Sequence, residues 1–256
     1  MIDKSKFTAI VCNYNLKSQL ENTAEGFREL FPEIELILCD DNSEDDSVDW
    51  ATKSGLFDGI YVKGKKEGNS INTLRNIGCS LAKREYLVLV DSSNKPTLGL
   101  LFSHYTVLKT FPKSVSAGII DRIEESGNIH IDEKYRLFAE NQTIVPLEWY
   151  GLTGGNMGFR KSSWLDIGMF AENFSGSGMC EDAEFGFRAR RKGYSIYCHK
   201  ACVVMHQYHS PFSTNLSKNS QKLDEMYGIN KIEELYNRYS KGTGNESKDG
   251  QTQLVS

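Results

Sequence analysis

The sequence predicts an α/β protein in which helices flank a mostly parallel sheet. Short apolar runs alternate along the chain with segments whose apolar residues recur at helical spacing, and this alternation is typical of βαβ units. The polar residues Asn13, Asp41 and Asp91 each follow one of the apolar runs. Because right-handed crossovers bring the carboxyl ends of parallel strands to one edge, we expect these three side chains to converge there.

The run from Tyr86 to Val90 is the clearest strand signal in the chain. It is entirely apolar and rich in β-branched residues, so it predicts a buried strand that ends at Asp91. Pro96 keeps the backbone from continuing as a central strand. A single aspartate after a strand is more often a turn residue than a ligand. The acids and amides at the neighbouring strand ends favour a functional role for Asp91.

The first half of the chain is predicted to alternate regularly between strands and helices. The predicted strands cover residues 7–12, 34–39, 59–62 and 86–90. The predicted helices cover residues 16–31, 47–52 and 71–81. No glycine-rich turn follows the first strand and no phosphate-loop lysine is present, which argues against a dinucleotide-binding or P-loop site.

The second half is predicted to be more irregular. Its expected elements are a helix to about residue 110, a hairpin of residues 115–123 and 128–131, a helix from residue 181, strands at residues 195–198 and 201–205, and amphipathic helices between residues 217 and 239. Leu98 is expected to face the core from the first of these helices, and Gly193 to terminate the second.

Charge and targeting signals narrow the classes of protein. The formal net charge of −4 argues against binding to a nucleic-acid backbone as the main activity. The N-terminus has no signal-peptide pattern, and no apolar run approaches the roughly 18–20 residues that a membrane span needs. The six cysteines form no CxxC pair, so we expect buried, reduced thiols in a cytoplasmic protein. Peripheral membrane association through the C-terminal helix stays open.

Three segments of the second half each allow two interpretations. The glycines at Gly154 and Gly155 indicate either a mobile loop or a backbone that approaches a ligand closely. Acids such as Asp182 in the first turn of a helix are favoured by the helix dipole, but a carboxylate there is also well placed as a general base. His206 and His209 at a strand end are either structural residues or metal ligands.

Seven segments, taken in order, resemble the family-two glycosyltransferases of GT-A fold. They are Val11-Cys-Asn-Tyr-Asn15, Leu38-Cys-Asp-Asp-Asn-Ser43, Arg75-Asn-Ile-Gly78, Leu89-Val-Asp-Ser-Ser93, Gly154-Gly-Asn-Met157, Cys180-Glu-Asp-Ala-Glu-Phe-Gly-Phe-Arg188 and His206-Gln207. The likeness runs from about residue 7 to residue 209. Its second half resembles the C-terminal region of the galactosyltransferase and chondroitin-polymerase type. The resemblance implies a Rossmann-like mixed sheet with a smaller acceptor-side subregion.

The resemblance also implies an inverting transfer of a sugar from a nucleotide-activated donor, usually a UDP-sugar. Asp182 would be the catalytic base, with Glu181 beside it as the other acid of the pair. The implied nucleotide contacts are Cys12, Tyr14, Asp41, Arg75, Asp91, Ser92 and Ser93. The implied contacts to the acceptor or the sugar are Trp149, Gly154, Gly155 and Asn156. The acceptor would be a glycan, a lipid-linked sugar or a peptide.

The domain organisation follows from the same resemblance. Residues 1–240 are expected to form a single glycosyltransferase domain, and the polar residues 241–256 a disordered tail. Within the domain we distinguish a nucleotide-binding half (1–97), an acceptor and catalytic half (98–212) and C-terminal helices (213–240).

The predicted cofactor is Mn²⁺ or Mg²⁺, held by Asp91 and His206. One departure from the family pattern bears on it, because Ser93 stands where the Asp-x-Asp motif has its second acid. The metal could be retained with a weaker site, which we favour. Alternatively, cations of the segment Lys63-Gly-Lys-Lys66 stabilise the leaving diphosphate, or the protein binds sugar nucleotides or glycans without turnover.

Overall fold

The computed structural model describes residues 2–64, 71–174, 180–210 and 216–228. The strands are β1 (Phe7–Asn13), β2 (Glu35–Asp40), β3 (Gly59–Val62), β4 (Tyr86–Asp91), β5 (Asn94–Pro96), β6 (Ser114–Ile123), β7 (Ile129–His130), β8 (Ile144–Leu147), β9 (Asn156–Arg160) and β10 (Ser195–His206). The helices are α1 (Lys17–Leu30), α2 (Ser47–Ser54), α3 (Ile71–Leu81), α4 (Leu100–Thr110), α5 (Lys161–Ile167), α6 (Glu181–Arg191) and α7 (Leu216–Tyr227).

Across the described ranges, ten strands form one sheet. Its main path is β3-β2-β1-β4-β9-β6-β10-β5, with β7 paired to β6 and β8 paired to β10. The pairs within β3-β2-β1-β4 and the pair of β6 with β10 are parallel. Strand β9 is antiparallel to both of its neighbours, so β6 and β10 run in the direction of β4. The predicted mixed sheet, with most main-path strands in one direction, is therefore confirmed.

The register places the ends of three strands side by side. Cys12 of β1 pairs with Cys39 of β2 on one side and with Asp91 of β4 on the other. The ladder continues beyond the strands, because the amide of Ser92 donates to the carbonyl of Cys12 over 2.9 Å. Asp91 and the residues just beyond β1 and β2 therefore share one edge of the sheet, as the sequence predicts.

The core lies in two layers, one on each face of the sheet, because side chains alternate along each strand. Along β1, Phe7, Ala9 and Val11 face one cluster and Ile10 and Cys12 face the other. The first cluster is covered by α1 and α4, and the second by α3, α5 and α6.

Two predictions about single elements were wrong. Leu98 is 72% exposed and lies ahead of α4, so it does not reach the core. Residues 195–206 form the single strand β10, which pairs with β6 through a register shift between Cys198 and Val203. Of the two interpretations left open for the glycine-rich segment before Asn156, the mobile loop does not agree with the structure, because the segment leads directly into the buried strand β9.

Helix α7 packs onto the start of α6. Leu223 is fully buried against Phe174 and Cys180, and the hydroxyl of Tyr227 donates to Oε1 of Glu184 over 2.5 Å. The predicted helix beyond residue 228 and the predicted tail at residues 241–256 lie outside the described residues. The six cysteines are buried free thiols. In the described part of the chain, every helix is too short or too polar to cross a bilayer.

Candidate active site

The carboxylate of Asp91 meets the backbone of Gly155 at the end of β4. A Cβ atom on Gly155 would lie 2.5 Å from Oδ2 of Asp91 and 2.7 Å from Nδ2 of Asn94, too close for any side chain to fit. Nδ2 of Asn94 donates to the carbonyl of Gly155 over 2.8 Å, and Oδ1 of Asn94 is buried without a hydrogen-bond partner. The absence of a side chain at Gly155 thus lets the two segments approach around Asp91.

Arg75 on α3 lies buried among carboxylates. Its Nη1 donates to Oδ1 of Asn72 over 3.1 Å and lies 3.7 Å from Oε1 of Glu181. A Cβ atom on Gly154 would lie 2.0 Å from Nη2, so any larger residue at this position would displace the guanidinium or the backbone. Burial opposes the charge, but the carboxylates of Glu181, Asp91 and Asp182 raise the pKa of Arg75 above its usual value.

Glu181 is the first residue of α6 and is buried with one oxygen unsatisfied. Its Oε2 has no hydrogen-bond partner, while Oε1 faces Arg75. Burial and the neighbouring Asp182 carboxylate raise the pKa of Glu181 to about 7, although Arg75 acts in the opposite direction.

Asp182 is half-buried and held by backbone amides. Its Oδ2 accepts from the amide of Gly154 over 3.0 Å, and its Oδ1 accepts from the amide of Ala183 over 2.8 Å. Burial raises the pKa of Asp182, and Arg75 and these amide donors limit the rise. A carboxylate with restrained orientation, partial exposure and raised basicity suits a general base.

The end of β2 contributes one acid to the rim and one to the scaffold. Oδ1 of Asp41 accepts from Nζ of Lys63 over 2.8 Å, with both side chains about one-tenth exposed. Asp40 is fully buried and accepts from Nδ2 of Asn13 and from the amide of Ser43. Asp40 therefore braces the turn after β2 and leaves Asp41 as the acid at the rim.

The predicted nucleotide contacts around the ends of β1 and β4 differ in how far their side chains are exposed to solvent. Tyr14 is 38% exposed, while Cys12 is buried, and burial raises the pKa of its thiol well above the usual value. Ser92 and Ser93 are both buried. The carbonyl of Ser93 accepts from the amide of Gln207 over 2.7 Å, which ties the segment after Asp91 to the end of β10.

Two histidines, His206 at the end of β10 and His209 just beyond it, lie at the same edge of the sheet as Asp91. The rings of His206 and His209 are 5.0 Å apart, and His209 acts electrostatically on Asp91 to lower its pKa, against the larger effect of burial. Burial lowers the pKa of His206 to about 4, so its ring is neutral and able to bind a metal. No three His, Cys, Asp or Glu side chains among the described residues converge into a metal cluster.

The family model of glycosyl transferase family 2 matches residues 8–168. The chain belongs to glycosyl transferase family 2. It is therefore a glycosyltransferase, and the matched segment contains Asp41, Arg75 and Asp91 but not Asp182.

Curated relatives of this glycosyltransferase are polysaccharide synthases. The chain is 23% identical to the chondroitin synthase of Escherichia coli over 209 residues, which cover 68% of this chain and 30% of the relative. It is 25% identical to the hyaluronan synthase of Pasteurella multocida over 209 residues, which cover 68% of this chain and 21% of that relative. The chain thus spans less than a third of the length of these two proteins.

Solved structures show the GT-A fold. GalNAc-T7 with UDP, GalNAc and Mn²⁺ superposes with a TM-score of 0.67 at 17% identity, covering 86% of this chain and 47% of that one. TarS 1–349 of S. aureus in complex with UDP-GlcNAc superposes with a TM-score of 0.63 at 16% identity, covering 81% of this chain and 60% of that one. The predicted GT-A fold and family-two resemblance are confirmed.

Most of the predicted site residues lie close together in the structure. Around Asp91 the structure brings Arg75, Gly155 and Glu181, and Asp182 lies beside Gly154. Asp41 lies at the same sheet edge and is bonded to Lys63. The functional roles given to these residues stay predictions.

Asn156 does not contact a ligand from its predicted place, which is a correction. Its side chain is fully buried, and Nδ2 donates to the carbonyls of Ile119 and Cys202. Its Oδ1 lies 3.0 Å from Nε2 of His104. The amide is fully engaged inside the protein, so Asn156 anchors the start of β9 and does not bind the acceptor.

Trp149 is half-buried beside α6. Its ring lies 5.3 Å from that of Phe187 and 5.3 Å from that of Tyr150, with steep interplanar angles. Its carbonyl would lie 2.4 Å from a Cβ on Gly186, so the turn packs directly on α6. This places Trp149 close to the helix that carries Asp182, and its contact with an acceptor stays a prediction.

The sequence analysis assigned no role to Asn94, and it named Gln207 only as part of the His206-Gln207 segment. Asn94 carries a buried oxygen without a partner, and Gln207 bonds the segment after Asp91 to α1 through the hydroxyl of Thr23. Asn94 directly follows the Leu89–Ser93 segment, so its position beside that motif was the signal that could have pointed to it.

Proposed function

We propose that this glycosyltransferase catalyses the inverting transfer of a monosaccharide from a UDP-sugar to a hydroxyl of an acceptor glycan. The observation that carries the proposal is the hydrogen bond from the Gly154 amide to Oδ2 of Asp182, 3.0 Å long. It holds a half-buried, basic carboxylate beside the segment that approaches Asp91.

In this mechanism Asp182 accepts the proton of the acceptor hydroxyl as the oxygen attacks the anomeric carbon, and the bond from that carbon to the β-phosphate oxygen breaks to release UDP. A positioned general base contributes roughly 10²–10⁴-fold to such a step. Glu181 is less suited to this task, because it is more deeply buried and one of its oxygens faces Arg75. Direct displacement by the acceptor, without a covalent sugar intermediate, inverts the configuration of the anomeric carbon.

The donor would lie across the ends of β1, β2 and β4. Tyr14 and Asp41 offer an aromatic ring and a carboxylate to the nucleoside, and Asp91 offers a carboxylate to the ribose or to a bound cation. The structures of similar fold that contain UDP or UDP-GlcNAc support a uridine donor. The polysaccharide synthases among the relatives support a glycan as the acceptor. A lipid-linked sugar or a peptide would need the same hydroxyl chemistry.

The residues around Asp91 fit a hard divalent cation such as Mn²⁺ or Mg²⁺. Asp91 would hold it together with the neutral imidazole of His206, and the orphaned Oδ1 of Asn94 is a further oxygen at this place. Ser93 lacks the carboxylate that would strengthen the site. A bound cation would supply charge stabilisation for the leaving diphosphate.

A donor screen by thermal shift, with and without Mn²⁺, tests this function. We expect UDP-sugars to raise Tm, Mn²⁺ to increase the rise, and the stabilising donor to release UDP when a glycan acceptor is added. The proposal fails if no nucleotide sugar shifts Tm at millimolar concentration.

A second function is favoured by Ser93 alone. A protein with a weakened cation site would bind the sugar nucleotide or the glycan without turnover. That alternative predicts UDP binding by calorimetry and no release of UDP over hours with any acceptor, whereas the proposed enzyme releases UDP in step with product.

A further inference from the structure

Arg75 occupies the point where acids from two different elements meet. Asp91 ends β4, while Glu181 and Asp182 begin α6, and all three carboxylates act on the Arg75 charge. The guanidinium is only 4% exposed and lies directly beneath Gly154. An arginine that is the shared counter-charge of several carboxylates has a different function from an arginine that binds the nucleobase of a donor.

The contacts of Arg75 point toward the protein. Nη1 is used by Asn72 and Glu181, and Nε is buried beyond the reach of solvent without any hydrogen-bond partner. A nucleobase contact needs donors that a ligand can reach. Nη1 and Nε are therefore committed to the protein interior, and a uridine contact through Nη2, as the family resemblance implies, stays a prediction.

The first turn of α6 depends on Arg75 for its charge balance. Three acids crowd this turn, and Glu184 is neutralised locally by Arg188, whose Nε lies 2.6 Å from Oε1 of Glu184. Glu181 has its only salt bridge in the described structure with Arg75. The buried Glu181 and the half-buried Asp182 carboxylates repel each other, and a nearby cation compensates their charge.

We propose that Arg75 is a positioning residue for the general base Asp182. Arg75 holds the first turn of α6 against α3, so that the Asp182 carboxylate stays oriented toward Gly154. This inference rests on the proposed function. Arg75 does not touch the reacting atoms, and its loss acts through the orientation of Asp182. A misplacement of about 1 Å can cost roughly 10²-fold in rate.

The central variant is Arg75→Gln, which removes the charge and keeps a polar side chain. We expect kcat to fall about 100-fold, while the Kd for UDP measured by calorimetry changes less than about threefold. Arg75→Lys keeps the charge and should recover part of kcat, and it also serves if the glutamine variant does not fold. The matched control is Arg28→Gln, which breaks the salt bridge with Asp58 on another part of the protein and should leave kcat unchanged.

A double variant separates positioning from general structural damage. In Arg75→Gln the Glu181 carboxylate loses its counter-charge, and this uncompensated charge is what displaces the first turn of α6 and lowers kcat. Adding Glu181→Gln removes that charge and should restore part of the lost kcat. Non-additivity of this kind is expected for residues in direct contact. Additive losses in the double variant would contradict the pairing.

Hydrogen–deuterium exchange tests the inference without any turnover. Arg75→Gln should speed exchange at the amides of residues 181–184, whereas Arg28→Gln should not. Unchanged exchange there would overturn the inference, as would a tenfold weaker Kd for UDP at unchanged kcat. A wild-type protein that binds donors but transfers no sugar would instead contradict the proposed function, and the exchange experiment would still decide the role of Arg75.

Discussion

The backbone amide of Gly154 donates a 3.0 Å hydrogen bond to Oδ2 of Asp182. This bond joins the segment that enters β9 to the first turn of α6, and it orients the carboxylate proposed as the base. Because the two residues are 28 positions apart in the chain, only the folded sheet brings them together.

Replacement of Gly154 by alanine should disrupt the site directly. The added Cβ would lie 2.0 Å from Nη2 of Arg75, so either the backbone or the guanidinium must move. We expect kcat to fall by roughly 100-fold because both neighbours of Asp182 shift. Transfer assays on purified protein measure this.

Gly59→Ala is the matched control for that experiment. Its Cβ would meet only Cγ1 of Ile37, at an ordinary 3.8 Å, on the strand β3. We expect unchanged transfer in this variant. Wild-type kcat in Gly154→Ala would show that the close approach at Gly154 does not matter for catalysis.

Asn156→Ala should destabilise the fold. The substitution leaves the carbonyls of Ile119 and Cys202 and the ring of His104 without their buried partner. Unsatisfied buried polar groups cost about 1–3 kcal/mol each, so urea denaturation should show a loss of at least that size. Asn128→Ala, at an exposed turn position, is the control and should change little. A neutral Asn156→Ala would contradict the anchoring role.

The sequence was informative where chemistry follows from local pattern. Apolar runs predicted the strands, and parallel topology predicted that Asp41 and Asp91 share an edge. The orientation of side chains depends on tertiary packing, so it was missed. Asn156 was predicted to contact the acceptor or the sugar, but its side-chain amide packs into the core against Gly118. A Cβ atom on Gly118 would lie 2.1 Å from Cγ of Asn156, so the absence of a side chain at Gly118 makes room for the amide.

The same limit explains Arg75 and the histidines. Nothing local tells that Arg75 faces carboxylates of α6, since these lie more than a hundred residues further along the chain. The positions of His206 and His209 depend on β10, which pairs with β5 so that His206 lies opposite Asn94. The metal contact of His206 stays a prediction.

The stability of Glu181→Gln relative to wild type should depend on pH. Burial and Asp182 raise the pKa of Glu181 from 4.5 to about 7, so the folded protein binds this proton more tightly than the unfolded chain. The wild type therefore loses stability through this group as pH rises from about 4.5 to 7, and the glutamine variant does not. In denaturation without donor or metal, the free energy of unfolding of the variant should increase relative to that of the wild type as pH rises over that interval. The opposite trend would mean that Arg75 dominates and lowers the pKa.

Asp91→Asn tests the proposed cation site. In wild type we expect Mn²⁺ to increase the thermal shift that UDP produces, and in Asp91→Asn this increment should disappear because the carboxylate ligand is lost. Asp166→Asn on α5 is the control and should keep the increment. An equal Mn²⁺ increment in the wild type and Asp91→Asn would place the cation elsewhere.

Sugar transfer by Asp182→Asn tests the proposed general base most directly. The variant keeps the size and polarity of the side chain and removes its basicity. We expect UDP to bind as tightly as to wild type, while transfer falls by about 10²–10⁴-fold. Transfer at the wild-type rate in Asp182→Asn would contradict the role of Asp182 as the base.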